Sequence, residues 1–270
     1  MELRVTGARL ELGRVLAQRA AFARAAPIHV NLTGQQANTL LHDGHAWRDF
    51  PRTLVAGTRR ALQAAHAGHA VRFVHASFAF VHAFESGVPV APPLRSCVEA
   101  ILECEARVLE GPVPACMVRL GYLYGPASAD LLAYRAAFRL GRPYWSGASA
   151  ARQYHLHQHD AASALVAAAR GRTAGRVYYA TDGHPVSFER FMDAFAHRVG
   201  RAHPLHLPRV SRLLARAIIA EEHMQQTALA MPRTAPRPAV PGWKPRFARY
   251  AAGLDDVLAT WRAEGVVPEK

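Results

Sequence analysis

Lysine is almost absent from this chain: Lys244 and Lys270 are the only two in 270 residues. Chemistry that needs a lysine ammonium therefore has one candidate in a proline-rich stretch and one at the last position. Cysteine is scarce too. Cys97, Cys104 and Cys116 are odd in number and form no CxxC pair, which excludes a disulfide framework and a cysteine zinc site and leaves reduced, mostly buried thiols as the expectation. No apolar run approaches the roughly 18 to 20 residues that span a bilayer, and the start lacks the tripartite pattern of a secretory signal. A cytoplasmic location and no membrane partner are expected. Acidic residues are few against basic ones, giving a formal charge of +13. A clustered surplus of cations would suit a phosphate backbone. Here the arginines stand singly among alanines with no compact basic run, a pattern better suited to anionic phosphorylated ligands, so nucleic acid is not expected as a partner.

Half of the residues are hydrophobic, enough to bury one large core or a main domain with a smaller one attached. Short apolar, β-rich runs alternate with longer alanine- and leucine-rich segments, the βαβ signature of a mainly parallel sheet covered by helices. Strands are expected at Leu3 to Thr6, Ile28 to Leu32, Val71 to Ala76, Ala115 to Leu120 and Val177 to Ala180. Helices are expected at Gly13 to Ala25, Phe50 to Ala67, Ser96 to Glu110, Leu131 to Leu140, Ala161 to Ala169, Ser187 to Val199 and Leu254 to Glu264, with Ser187 as an N-cap. The stretch MPRTAPRPAVPGWKP, Met231 to Pro245, holds too much proline for a helix and should run extended.

The first strand leads into VTGARLELGRVLA. A strand ending in Thr6-Gly7 before a helix near Gly13 is a geometry that aims helix N-H groups at a pyrophosphate. Gly7 permits the tight turn and Gly13 close packing, while Leu10 stands where a middle glycine would let the phosphates approach. VTGARLELGRVL resembles the VTGATGFLGRVL fingerprint of the extended or atypical short-chain dehydrogenases/reductases, the NAD-dependent epimerase/dehydratase group. IHVNLTG at Ile28 to Gly34 is similar to that family's VVIHLAG, and VAGTRRALQAAHAGHAVRFVHASFAFVHA at Val55 to Ala83 to its NVxGTxNLLEAAxxxGVxRFVxxSSxxVYG. CMVRLGYLYGP resembles VVLRPGxVYGP, HLHQHDAASAL resembles xVHVDDLAxAL, and the segments from Val177 and from Gly242 resemble the family's two C-terminal motifs.

The resemblance implies a Rossmann-like α/β core over residues 1–180, with part of 125–155 contributing to a substrate cleft, and a smaller C-terminal subdomain over 181–270. It implies NAD or NADP as cofactor, held by Gly7, Gly13, Thr33, Gly34 and Ser77. A polar small-molecule substrate, such as a nucleotide sugar, would meet Arg119, Tyr124 and His157. A homodimer through the helices at Phe50 to Ala67 and Ser96 to Glu110 is left open. Gly7 and Gly34 stand only 27 positions apart, room for one helix where the family has two further βα units, so the second and third strands are expected to be missing. The residue that reads the adenosine ribose goes with them. An alternative is that residues 1–34 match a later βα unit and the fingerprint is absent.

Family catalysis uses a Tyr-x3-Lys pair, the lysine lowering the tyrosine pKa for general acid–base work. CEARVLE set against the family's AExxVL puts Cys97 at the tyrosine and Ile101 at the lysine, and Val240 and Val266 precede the two lysines by four, so no such pair exists. The third member falls at Phe78, beside Ser77, and His82 replaces the tyrosine of VYG. A substitute constellation of Ser77, His82 and Cys97 is one reading. An apolar pocket filled by Phe78, Cys97 and Ile101, with Ser77 capping local backbone and catalysis impaired or altered, is the preferred one. A ligand sensor or scaffold of the same fold is the alternative function. His155, His157 and His159 would share one strand face at period two, but no further ligand is fixed by spacing, so no metal is expected; Asp160 is read as a helix cap. His66, His69, His203 and His206 read as surface or interface residues.

Overall fold

The β-branched and aromatic runs at Ile28–Asn31, Arg72–Phe78 and Ala115–Leu120 are buried on both faces, as central strands of a parallel sheet are. The computed structural model describes residues 3–7, 9, 11–19, 27–38, 47, 49–145, 151–171, 174–207 and 221–267. Its main sheet holds β1 (Leu3–Thr6), β2 (Ile28–Asn31), β3 (Arg72–Phe78), β4 (Ala115–Leu120) and β8 (Arg176–Ala180), all parallel, in the order β1-β2-β3-β4-β8. β1 pairs with β2 from Leu3 opposite Ile28 to Thr6 opposite Asn31. In a doubly wound sheet of order 3-2-1-4-5-6, the strand beside the fourth is the first. With β2 as the fourth strand of that order, the N-terminal unit stands at the place of the first strand, not of a later repeat. Two βα units are missing between α1 (Glu11–Arg19) and β2, and β1 is the sheet's edge among the described residues.

Helix α1 begins at Glu11, so Gly13 lies inside it rather than at its start. The expected extension to Ala25, and Leu10 before it, fall outside the described residues. α1 and α6 (Gln158–Arg170) cover one face of the sheet, where Leu12, Val15, Leu16, Ala161 and Leu165 pack on Val30, Val74, Cys116 and Val118. α2 (Phe50–Ala67) and α4 (Pro92–Leu109) cover the other, α2 with the bounds expected from sequence. The short α3 (Val81–Glu85) links β3 to α4.

A second core gathers around α5 (Ala129–Arg139), α7 (Phe188–Arg198) and α9 (Tyr250–Ala263), with Phe138, Phe188, Phe191, Phe195 and Trp261 fully buried. Ser187 caps α7 as expected, its side chain accepting from the Arg190 N–H. Residues 122–144 also feed this core, through Tyr122, Tyr124, Leu131, Tyr134 and Tyr144. Short pairs the sequence did not announce, β5 (Tyr122–Tyr124) with β7 (His155–His157) and β6 (Tyr144–Trp145) with β9 (His206–Leu207), form two small sheets of their own, and α8 (Glu221–Ala228) packs on α4. Residues 231–245 run without helix, Ala239 bridging to Tyr179 of β8. No described helix is long and apolar enough to cross a membrane.

Candidate functional site

In a parallel sheet, ligands bind beyond the carboxyl ends of the strands at the switch point, here the ends of β1, β2 and β3. Gly7 leaves β1 with φ 85, a conformation open to glycine, and α1 starts four residues later. After β2, Thr33 donates its hydroxyl to Asn31 Oδ1 at 2.6 Å. Gly34 turns with φ 86, and a Cβ there would stand 2.8 Å from Leu54 Cδ1 and 3.4 Å from the Phe78 ring. Gly7, Thr33 and Gly34 thus follow the ends of adjacent strands, while Gly13 lies within α1. Ser77 does not join them at a ligand face: fully buried, it donates to Glu105 Oε1 at 2.5 Å. It serves α4 rather than capping local backbone.

Phe78, Cys97 and Ile101 come together in one apolar cluster with Phe50, Leu54, Phe80, Leu94, Tyr154 and Met231. The rings of Trp47, Phe50, Phe78 and Phe80 stand in a chain of contacts 5.3 to 5.7 Å apart. Burial pushes the Cys97 thiol up to about 12, so it stays protonated, and Cys104 is pushed up to about 11 for the same first reason. In the native protein at about pH 8 both thiols are expected to alkylate with iodoacetamide at least roughly a hundredfold more slowly than after urea unfolding. Labelling at unfolded-state rates in the native protein would contradict this burial.

Arg119 and Tyr124, expected in a substrate cleft, are turned inward. Arg119 is buried and forked across two acids: Nε and Nη2 donate to Glu105 at 2.8 and 2.6 Å, and Nη1 and Nη2 to Glu85 at 2.5 and 2.7 Å. Nη1 also reaches the Tyr179 hydroxyl at 2.7 Å, which lies 3.5 Å from His82 Nδ1. Burial works against the Arg119 charge, but the hydrogen bonds that it donates to both carboxylates outweigh it and its pKa is raised. His82, lowered by partial burial, sits at the rim of this network and not beside Cys97. Tyr124 packs its hydroxyl against Gly253, where a Cβ would collide with it. Residues sequence reasoning did not single out, Asn38, Tyr122, Gln153 and Tyr154, line with Phe80 and Met231 a cavity of about 10 Å³, room for a single water. Tyr122 sits between two residues of the recognised motif, the one signal that could have found it.

The histidine run is corrected as well. β7 ends at His157, so His159 is already helical and the three rings share no strand face. His155 is fully buried, stacked on Phe191 at 4.2 Å and pushed down to about 3 by burial. His157, not Asp160, caps α6: its Nδ1 accepts the His159 N–H at 3.3 Å. Asp160 instead accepts the backbone N–H groups of Arg246 and Phe247 at 2.8 and 2.9 Å, fastening the proline-rich segment. His157, His159 and Asp256 bring ligand atoms within 4.8 Å of one another. His157 Nε2 lies 3.5 Å from Asp256 Oδ2, across from β7 to α9. His206 faces Glu189 and Asp193 with its two nitrogens, at 3.3 and 2.9 Å.

No protein-family model matches the chain. A 3-diazoavenalumate denitrifying reductase from Streptomyces sp is 29% identical over 226 residues, 77% of this chain and 72% of the relative. The human epimerase family protein SDR39U1 (isoform 2), solved with NADPH, superposes with a TM-score of 0.73 at 15% identity, covering 96% of this chain and 99% of its own. The chain has the epimerase-type Rossmann fold. MoeE5 in complex with UDP-glucose and NAD aligns over 99% of this chain and all (100%) of its own, with a TM-score of 0.67 at 16% identity.

Two features of the site agree with a dinucleotide and two do not. The left-handed Gly7 turn and the Gly34 crossing fit a phosphate and a nicotinamide ribose brought close to backbone. The edge position of β1 leaves no strand end for the adenosine ribose among the described residues, and Ile101, which the resemblance sets at the lysine position, is fully buried.

Proposed function

We propose that the chain is an NAD(P)-binding protein of the epimerase and reductase fold in which proton transfer of the family kind is lost, leaving hydride transfer to acceptors that need no proton donor. The observation that carries this reading is the apolar cluster: Phe78, Cys97 and Ile101, which the sequence resemblance sets at the positions of the Ser/Thr, Tyr and Lys, are all buried, and the one thiol among them is held protonated. Gly7, the first turn of α1, Thr33 and Gly34 would hold the dinucleotide. When bound and reduced, the nicotinamide supplies a hydride.

Reduction of a carbonyl, or epimerisation of a nucleotide sugar, also needs a proton delivered to or taken from an oxygen. Nothing at these three positions does that. An electrophile that expels its own leaving group escapes the requirement: in a diazonium-type substrate, carbon takes the hydride, the C–N bond breaks and dinitrogen departs. A relative named as a denitrifying reductase of a diazo compound supports that class over the UDP-sugars bound by structural neighbours. A cytoplasmic homodimer through α2 and α4 belongs to the same proposal.

Calorimetry with NADH and NADPH, followed by turnover with an arenediazonium salt and with UDP-glucose, tests this. Submillimolar binding and consumption of the reduced cofactor by the diazonium salt alone is the expected result. Binding without turnover of either substrate would make the chain a sensor, and no binding would leave a scaffold.

A further inference from the structure

The first turn of α1, where the reading above places a pyrophosphate, already contains an anion. Glu11 is the first residue of that helix. One carboxylate oxygen accepts the N–H of Ala129, the first residue of α5, at 2.8 Å. The other accepts from Nε2 of Gln158, the first residue of α6, at 2.8 Å. Three helices thus begin around one side chain. Each N-terminus carries about half a positive charge, so their meeting point is a strong seat for negative charge. Gln158 is 2% exposed, and its Oε1 has no hydrogen-bond partner among the described residues, so this buried amide has an unused acceptor beside the seat. A Cβ on Gly125 would lie 2.5 Å from that Oε1, so only glycine lets the β5 end close over it.

We propose that Glu11 is an internal competitor for the cofactor's phosphates, a carboxylate that fills the anion seat in the free protein and must be displaced or neutralised for a dinucleotide to bind. This rests on the nucleotide-binding reading above. The bonds that satisfy the starts of α5 and α6 in the free protein are the ones a pyrophosphate would contest, and two phosphate charges beside Glu11 would repel it. Arg14, one turn along α1, is the cation acting on Glu11; the other charged groups in the first turns of the packed helices are Asp130 on α5 and His159 and Asp160 on α6. Burial raises the Glu11 pKa, in the direction that eases its neutralisation.

Glu11→Gln keeps an oxygen for the Ala129 N–H, and the Gln158 amide can turn to present its oxygen to the new amide. Glu11→Ala removes the side chain's claim on the seat. Calorimetric titration of wild type and both variants with inorganic pyrophosphate, with NADPH and with reduced nicotinamide riboside, which is uncharged and carries no phosphate, tests the proposal, folding being verified by circular dichroism. Both variants are expected to bind pyrophosphate and NADPH at least tenfold more tightly than wild type, with the riboside unchanged. NADPH affinity equal within threefold across the three proteins, or weaker in the variants, would overturn the competitor role and leave nucleotide binding intact. Absence of NADPH binding in all three would overturn both readings together.

Discussion

Replacing Arg119 with methionine is expected to lower the stability of the protein by about 3–5 kcal/mol, the cost of breaking a buried ion pair by removing one partner. The guanidinium stands at the end of β4 and is the one cation that the structure gives to both Glu105 and Glu85. The Glu105 side chain is 6% exposed and would keep only the Ser77 hydroxyl at 2.5 Å. Glu85 is 38% exposed and can turn to water, so most of the loss comes from Glu105. At roughly 2–4 °C per kcal/mol for a chain of this size, the melting temperature should fall by roughly 6–20 °C. Adding Glu105→Gln to the methionine variant should recover part of the loss, because the uncompensated charge is gone. Arg119→Lys should fall between, since one ammonium cannot fork across two carboxylates. A methionine variant melting within about 2 °C of wild type would show that the clamp contributes no stability.

The main sheet was legible because its signal is local and strong. Four-to-seven-residue apolar runs at the spacing of one helix each read as strands of a parallel sheet, and the short span between Gly7 and Gly34, set against the family it resembles, revealed the missing units. The paired strands β5 with β7 and β6 with β9 were not legible, being two or three residues long and set by tertiary packing rather than by period. The same reason separates the site residues. Gly7 and Gly34 could be read because a left-handed φ leaves glycine as its trace in the sequence. Asp160 could not be read as the anchor of Arg246 and Phe247, 86 and 87 positions away, because a carboxylate at a helix start is equally well explained by capping. Arg119 is a third kind: its motif placed it at a cleft, and its partners, Glu85 and Glu105 on α3 and α4, turned it into the interior.

Restoring serine by Phe78→Ser is expected to destabilise the protein and to give no carbonyl reductase. The Phe78 ring is fully buried, edge-on to Phe50 at 5.5 Å and tilted against Phe80 at 5.7 Å, over the glycine that begins the β2 turn. Truncating such a ring costs about 3–5 kcal/mol in lost burial and residual cavity. A serine hydroxyl left among Leu54, Ile101 and Phe80 adds roughly 1–2 kcal/mol for an unmet hydrogen bond. Phe78→Leu, by contrast, should cost far less, because it keeps most of the volume. Urea unfolding of the three proteins measures the difference, and NADPH consumption with a carbonyl substrate reads the activity. A serine variant as stable as wild type would mean that the cluster is loosely packed there. A serine variant that gained carbonyl turnover would mean that a proton donor stands within reach after all, and the loss of proton transfer proposed here would have to be abandoned.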